Sequence, residues 1–158
     1  MRRIFGLCLA LALALGSTVV ADAQESQTIV DVEADDAEMN AAKARAVATL
    51  PDFYRRLAAP GPGESGFMLK FDILPGDGAE FVWAVDLQRA DGTMTGVLIN
   101  QPVHTQDKLG ERVSIVEADI IDWAYFQGTV MQGAFTNRVV LDRMPPDEAA
   151  SLRRAYGW

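Results

Sequence analysis

The chain has 158 residues, with 14 basic and 22 acidic side chains, a formal net charge of -8, one cysteine (Cys8) and one histidine (His104). A surface this negative repels phosphate backbones and anionic lipids, and no Arg/Lys cluster is interleaved with aromatics, so nucleic-acid binding is argued against. A lone cysteine and a lone histidine exclude an intramolecular disulfide, a Cys-ligated metal and a His-rich metal centre.

The first residues read as an export signal. Arg2 and Arg3 precede an apolar stretch from Ile4 to Leu15, and Ala21-Asp22-Ala23 is a small-x-small cleavage site. The expected cut follows Ala23. A retained anchor is the alternative, but the stretch is at the short end of the ~17–25 residues that span a bilayer, and no basic stop-transfer cluster follows it. Cleavage removes Cys8, Arg2, Arg3 and Asp22. It leaves 12 basic and 21 acidic residues and a net charge of about -9. The expected organisation is a signal over 1–23, a polar leader over 24–34 and a single domain over 35–158. About 135 residues are enough for one hydrophobic core. The setting this predicts is the periplasm, or secretion in a bacterium with one membrane, with no stable membrane insertion after cleavage.

Residues 24–34 are polar around a short apolar patch, Ile29-Val30-Val32, which suits either a flexible leader or an added edge strand. Asp35 with Glu38 reads as a capping box for an Ala-rich helix in which Met39, Ala42, Ala46 and Leu50 follow helical spacing. Pro51 is expected to open a second helical stretch carrying Phe53 and Leu57 inward, and Pro60-Gly61-Pro62-Gly63 stops it.

The period then changes to two. Phe67, Leu69, Phe71 and Ile73 alternate with Met68, Lys70, Asp72 and Leu74, which predicts a strand with one buried face. Pro75-Gly76-Asp77-Gly78 turns the chain. Phe81, Trp83, Val85 and Leu87 alternate in the next strand, an Asp91-Gly92 hairpin follows, and 94–100 return. Three sequential strands with tight turns predict an antiparallel meander. Gly96 inside the third strand marks a bulge or a close backbone approach. Short strands are expected at 112–116, 123–126 and 129–132. Residues 133–143 suit a helix or a strand, because Thr136, Val139 and Val140 are β-branched. Pro145-Pro146 opens a last helix with acids early and arginines late. The fold class is α+β: an antiparallel, strongly twisted sheet of about four to six strands, with an N-terminal helical segment and a C-terminal helix.

The candidate cleft or interaction surface comprises Asn100, His104, Asp119, Asp122, Trp123 and Tyr125. A carboxylate pair can do acid–base work when burial moves one pKa toward neutrality. Against that, short acidic side chains three apart also cap turns. His104 as a triad base would need a nucleophile elbow, and neither Ser65 nor Ser114 sits in one. Trp83 reads as core, whereas Trp123 and Tyr125 share a strand face that could line a groove. Gly61, Gly63 and Gly66 form no phosphate loop, and no cofactor, catalytic or metal motif is present.

Six segments in order carry a family resemblance: 36–53, 65–73, 80–87, 96–103, 109–126 and 133–140, of which Asp119-Ile-Ile-Asp122-Trp123-Ala-Tyr125-Phe126 is the most distinctive. The chain resembles the bacterial DUF2314 (YegJ-like) family. Glu80-Phe81 stands where that family commonly has a His before the second strand, and Gln132-Gly133 where it tends to have a Gly pair. The resemblance implies a compact α+β domain in an exported bacterial setting and brings no cofactor or catalytic residue.

Three functions follow from these residues. The first is a non-catalytic binding domain of the envelope with a protein or small-molecule partner. The second is an accessory envelope protein without a discrete site. The third is a carboxylate enzyme acting on a small or sugar-like substrate, which requires Asp119 or Asp122 desolvated in a pocket near Trp123.

Overall fold

The computed structural model describes Gly6–Leu7, residues 36–76 and residues 78–158. The expected export signal apart from that dipeptide, the leader, Asp35 and Asp77 lie outside the described residues. The elements are β1 (Gly6–Leu7), α1 (Ala37–Ala58), β2 (Glu64–Asp72), β3 (Glu80–Ala90), β4 (Thr93–Leu98), β5 (Arg112–Ile115), β6 (Ile120–Gln127), β7 (Val130–Gly133), α2 (Phe135–Arg143) and α3 (Pro146–Tyr156). Six strands form one antiparallel sheet in the order β5-β4-β3-β2-β6-β7. β1 lies parallel to the start of β3. The fold is α+β, with the expected meander at its centre.

Asp36 caps α1, accepting the N–H of Met39 at 3.0 Å. The helix does not break at Pro51 as the sequence suggests. It runs unbroken through it. Proline removes the N–H that Val47's carbonyl would accept, but Val47 is exposed, so water can take that carbonyl. The buried stripe of Met39, Ala46, Leu50 and Phe53 continues on the other side.

β2 departs from a single buried face. Leu69 and Phe71 pack toward α1, but Met68 and Lys70 are buried as well. The second face is closed by α2 and α3, which bring Leu141, Ala149 and Tyr156 against Met68, Trp83 and Met131. Residues 135–143 are helical despite their β-branched content, because Thr136, Val139 and Val140 are buried on the covered face, and packing outweighs a few tenths of a kcal/mol of propensity per residue. The C-terminus docks. Gly157 ends α3 in the left-handed region, and the Trp158 indole N–H donates to Met131 O at 2.8 Å under the Arg138 guanidinium. Gly96 is a close approach: a Cβ there would stand 2.8 Å from Ala84 Cβ.

Candidate functional site

The strand alternation of β6 separates the candidate residues. Trp123 and Tyr125 face α1, while Asp122 and Ala124 face α2 and α3. Trp123 and Tyr125 are buried in an aromatic ladder. Phe67 stacks on Tyr125 at 5.1 Å, Tyr125 on Trp123 at 6.0 Å, and Phe53 and Phe135 pack on Trp123 at 5.5 Å each. The Trp123 indole N–H donates to Ala46 O at 3.0 Å, which ties the ladder to α1. These rings are core anchors.

Asp122 is fully buried and stands at the head of α2. Its carboxylate accepts the backbone N–H of Phe135 (3.2 Å) and Thr136 (2.8 Å), the Thr136 hydroxyl (2.7 Å) and its own neighbour's N–H, Trp123 (2.9 Å). It therefore caps a helix from a neighbouring strand. The formal N-cap residue, Ala134, has no side-chain acceptor and sits at φ 50°. A helix leaves its first N–H groups without internal partners, and a carboxylate is the acceptor best matched to them. Across β2 the register sets Lys70 opposite Asp122. Lys70 Nζ donates to Thr136 Oγ1 at 3.2 Å and lies 5.6 Å from the Trp83 ring. Burial pushes the Asp122 carboxyl up from its ordinary value, while the Thr136 hydrogen bonds and the Lys70 charge pull it down. Lys70 and Thr136 carry no sequence motif. Only the arrival of α2, 66 residues beyond Lys70, makes them a unit.

Asn100 and His104 meet elsewhere, along the edge of β3. β4 pairs with β3 only from Ala84 onward. At Trp83 the ladder is continued by Asn100, whose Oδ1 accepts the Trp83 N–H at 2.7 Å, and by the Ile99 N–H, which donates to Trp83 O. Among the described residues the buried Asn100 Nδ2 has no hydrogen-bond partner. Next to it the buried Glu80 carboxylate accepts the N–H groups of Val103 and His104, the latter at 2.9 Å, and lies 3.4 Å from His104 Nδ1. Glu80 was not among the sequence candidates. Asp119 ends a single 3-10 turn (Glu117–Asp119) and is half-exposed.

The loop from Asn100 to Gly110 is braced. Gln101 donates to Pro102 O and Asp107 O and accepts from the Leu109 N–H at 3.1 Å. It presents Val103 and Leu109 to solvent, 66% and 59% exposed. A shallow open depression of about 300 Å³ lies elsewhere, lined by Arg55, Arg56, Ala59, Gly61 and Glu64. Among the described residues no group of three or more His, Cys, Asp and Glu side chains could hold a metal ion, and no helix is long and apolar enough to cross a membrane.

No solved structure matches the chain. The chain is 32% identical over 88 residues to "Uncharacterized protein YegJ" of Escherichia coli (strain K12), across 55% of this chain and 58% of that protein, so the match spans less than two thirds of the relative. The family model described as "Uncharacterized protein conserved in bacteria (DUF2314)" matches residues 36–158, from the α1 cap through β6 and Asp122 to the docked Trp158, and the chain belongs to that family.

Proposed function

We propose that this chain is a non-catalytic interaction domain of the bacterial envelope that contacts a partner through the loop 100–110. The observation that carries the reading is the Glu80 brace. A buried carboxylate reaching out of β3 to hold the Val103 and His104 amides fixes a loop that exposes two apolar side chains. A loop held in one conformation loses less freedom when a partner binds, which raises affinity without new contacts. Burying one aliphatic side chain contributes roughly 1.5–3 kcal/mol, so Val103 and Leu109 together could anchor a modest interface. The carboxylate-enzyme reading finds less support, because each hydrogen bond recorded to Asp122 comes from the scaffold.

The envelope setting rests on the sequence of residues 1–23 and is tested by cell fractionation with intact-mass determination of the N-terminus. The contact surface is tested with a photo-cross-linking residue placed at Val103 and, as a control, at Val116, which is also exposed. The expected result is a discrete adduct from position 103 and none from 116. No adduct, or the same smear from both, sinks the loop as the contact surface.

A further inference from the structure

β3 begins with a stretch of edge that β4 does not cover. Glu80 O accepts the Ile73 N–H on the β2 side, and Trp83 turns its N–H and C=O to the β4 side. Alternation along a strand therefore turns the Phe81 N–H and C=O to the β4 side too. β4 has no residue there, since its pairing begins at Ala84. The edge accepts a strand: Gly6–Leu7 runs parallel to Glu80–Phe81 in register. The buried Asn100 amide borders the same edge through its bond to Trp83. A buried donor without a partner among the described residues is costly, so an incoming carbonyl is favoured there.

We propose that this edge is a strand-acceptor site, and that its occupant in the exported chain is the segment Ile29–Val32 of the same polypeptide. The export cut expected after Ala23 removes Gly6–Leu7 and empties the edge. The segment that remains is β-branched and apolar at Ile29, Val30 and Val32, a composition suited to a strand. Its tether is short. α1 starts at Ala37, and Met39 in its first turn packs in one cluster with Phe81, while Lys43 Nζ lies 4.5 Å from the Phe81 ring centroid. Val32 is four residues before Asp36, a reach of up to about 14 Å in extended chain. A strand held on a tether this short meets the edge at high effective concentration. The site goes beyond the loop contact proposed above and does not depend on it.

The test is amide hydrogen exchange at Phe81, read by NMR on protein recovered from the exported fraction after expression of the full gene, with its N-terminus defined by intact mass. In the wild type the Phe81 amide is protected. In the Val30→Pro/Val32→Pro variant, whose replaced residues have no N–H to donate, it exchanges at least about tenfold faster. The Leu69 and Ala84 amides in the β2–β3 ladder stay unchanged and report an intact fold. An unprotected Phe81 in the wild type overturns the proposal, as does protection that the two prolines leave intact. Protection that rises with protein concentration overturns it in favour of a second copy, and retention of Gly6–Leu7 in the mass overturns it in favour of that dipeptide. The loop's partner is read separately, at Val103, so either idea can fail alone.

Discussion

Two buried carboxylates of this domain stand on the same sheet and lead different lives. Asp122 is enclosed: a lysine faces it across the neighbouring strand, and the head of α2 closes over it with three donors. Glu80 lies at the start of β3, beyond the end of its pairing with β4, and it holds an exposed loop whose His104 is 68% exposed. Trp83 links the two. Its backbone is held by Asn100 at the edge, and its ring lies against Lys70 in the interior. The difference teaches where polar groups serve the scaffold and where they serve a surface. The partners of Asp122 belong to the scaffold, whereas beside Glu80 a buried amide donor has no partner among the described residues.

The sharpest way to break this comparison is Asp122→Ala. It strips the acceptor from the Phe135 and Thr136 amides and removes the carboxylate that lies opposite Lys70. A buried donor left without its acceptor costs about 1–3 kcal/mol, and two amides lose theirs here, which equilibrium urea unfolding will read as a lower midpoint. Lys70→Met is expected to cost less in this background than in the wild type, because the attraction between Lys70 and the Asp122 carboxylate is already gone. A cost below about 1 kcal/mol would show that α2 is held by its apolar contacts alone.

How much of this was legible in the sequence follows from how local each signal is. The alternation in β2 and β3 and the Asp91-Gly92 hairpin depend on neighbours a few residues apart, and the meander follows from them. The family resemblance was legible for the same reason, in segments that keep their order. Pro51 misled because whether a helix survives a proline depends on which side of the helix loses the bond, and the sequence does not show that Val47 faces water. Lys70 could not be read as buried without knowing that α2 and α3 cover the second face of the sheet. Trp123 and Tyr125 could line a groove or a core with equal chemistry, and it is Phe53 of α1 and Phe67 of β2 that decide for the core. Asn100 and His104 fell together because they are four residues apart. Glu80, 24 residues before His104, is the part of that corner only the register of the fold supplies.

A smaller effect is expected at the open corner. Glu80→Gln keeps the shape but turns an NH₂ toward one of the two loop amides and removes the charge from both bonds. Hydrogen bonds to charged groups are worth more than neutral ones, and at this half-open edge a loss of about 1–2 kcal/mol is expected. Its location matters more than its size. Exchange should rise at the Val103 and His104 amides and not at Thr136. Equal acceleration at Thr136 would mean that the two carboxylates form one cooperative unit, and the contrast between them would collapse.

The smallest effect separates the scaffold's surface from both buried carboxylates. Asp36 caps α1 and also receives Arg143 from the last turn of α2, which reaches Glu38 as well, at 2.9 Å. The Arg143 hydrogen bonds, followed by the cap bond from Met39, hold the Asp36 carboxyl well below the usual carboxylate range. The unfolded chain then binds a proton near the ordinary aspartate value of about 3.9 while the folded chain does not. Its contribution is therefore fully present above that pH and is lost as the pH falls through the lower folded value. Asp36→Asn keeps a good N-cap while removing the charge, so it isolates the contact with Arg143. The variant is expected to be slightly less stable than the wild type at pH 7, with the gap closing below about pH 4. Urea midpoints measured from pH 7 to pH 2.5 check this. A gap that stays constant across the range would assign the loss to cap geometry, because a neutral hydrogen bond has no reason to weaken as the carboxylate protonates.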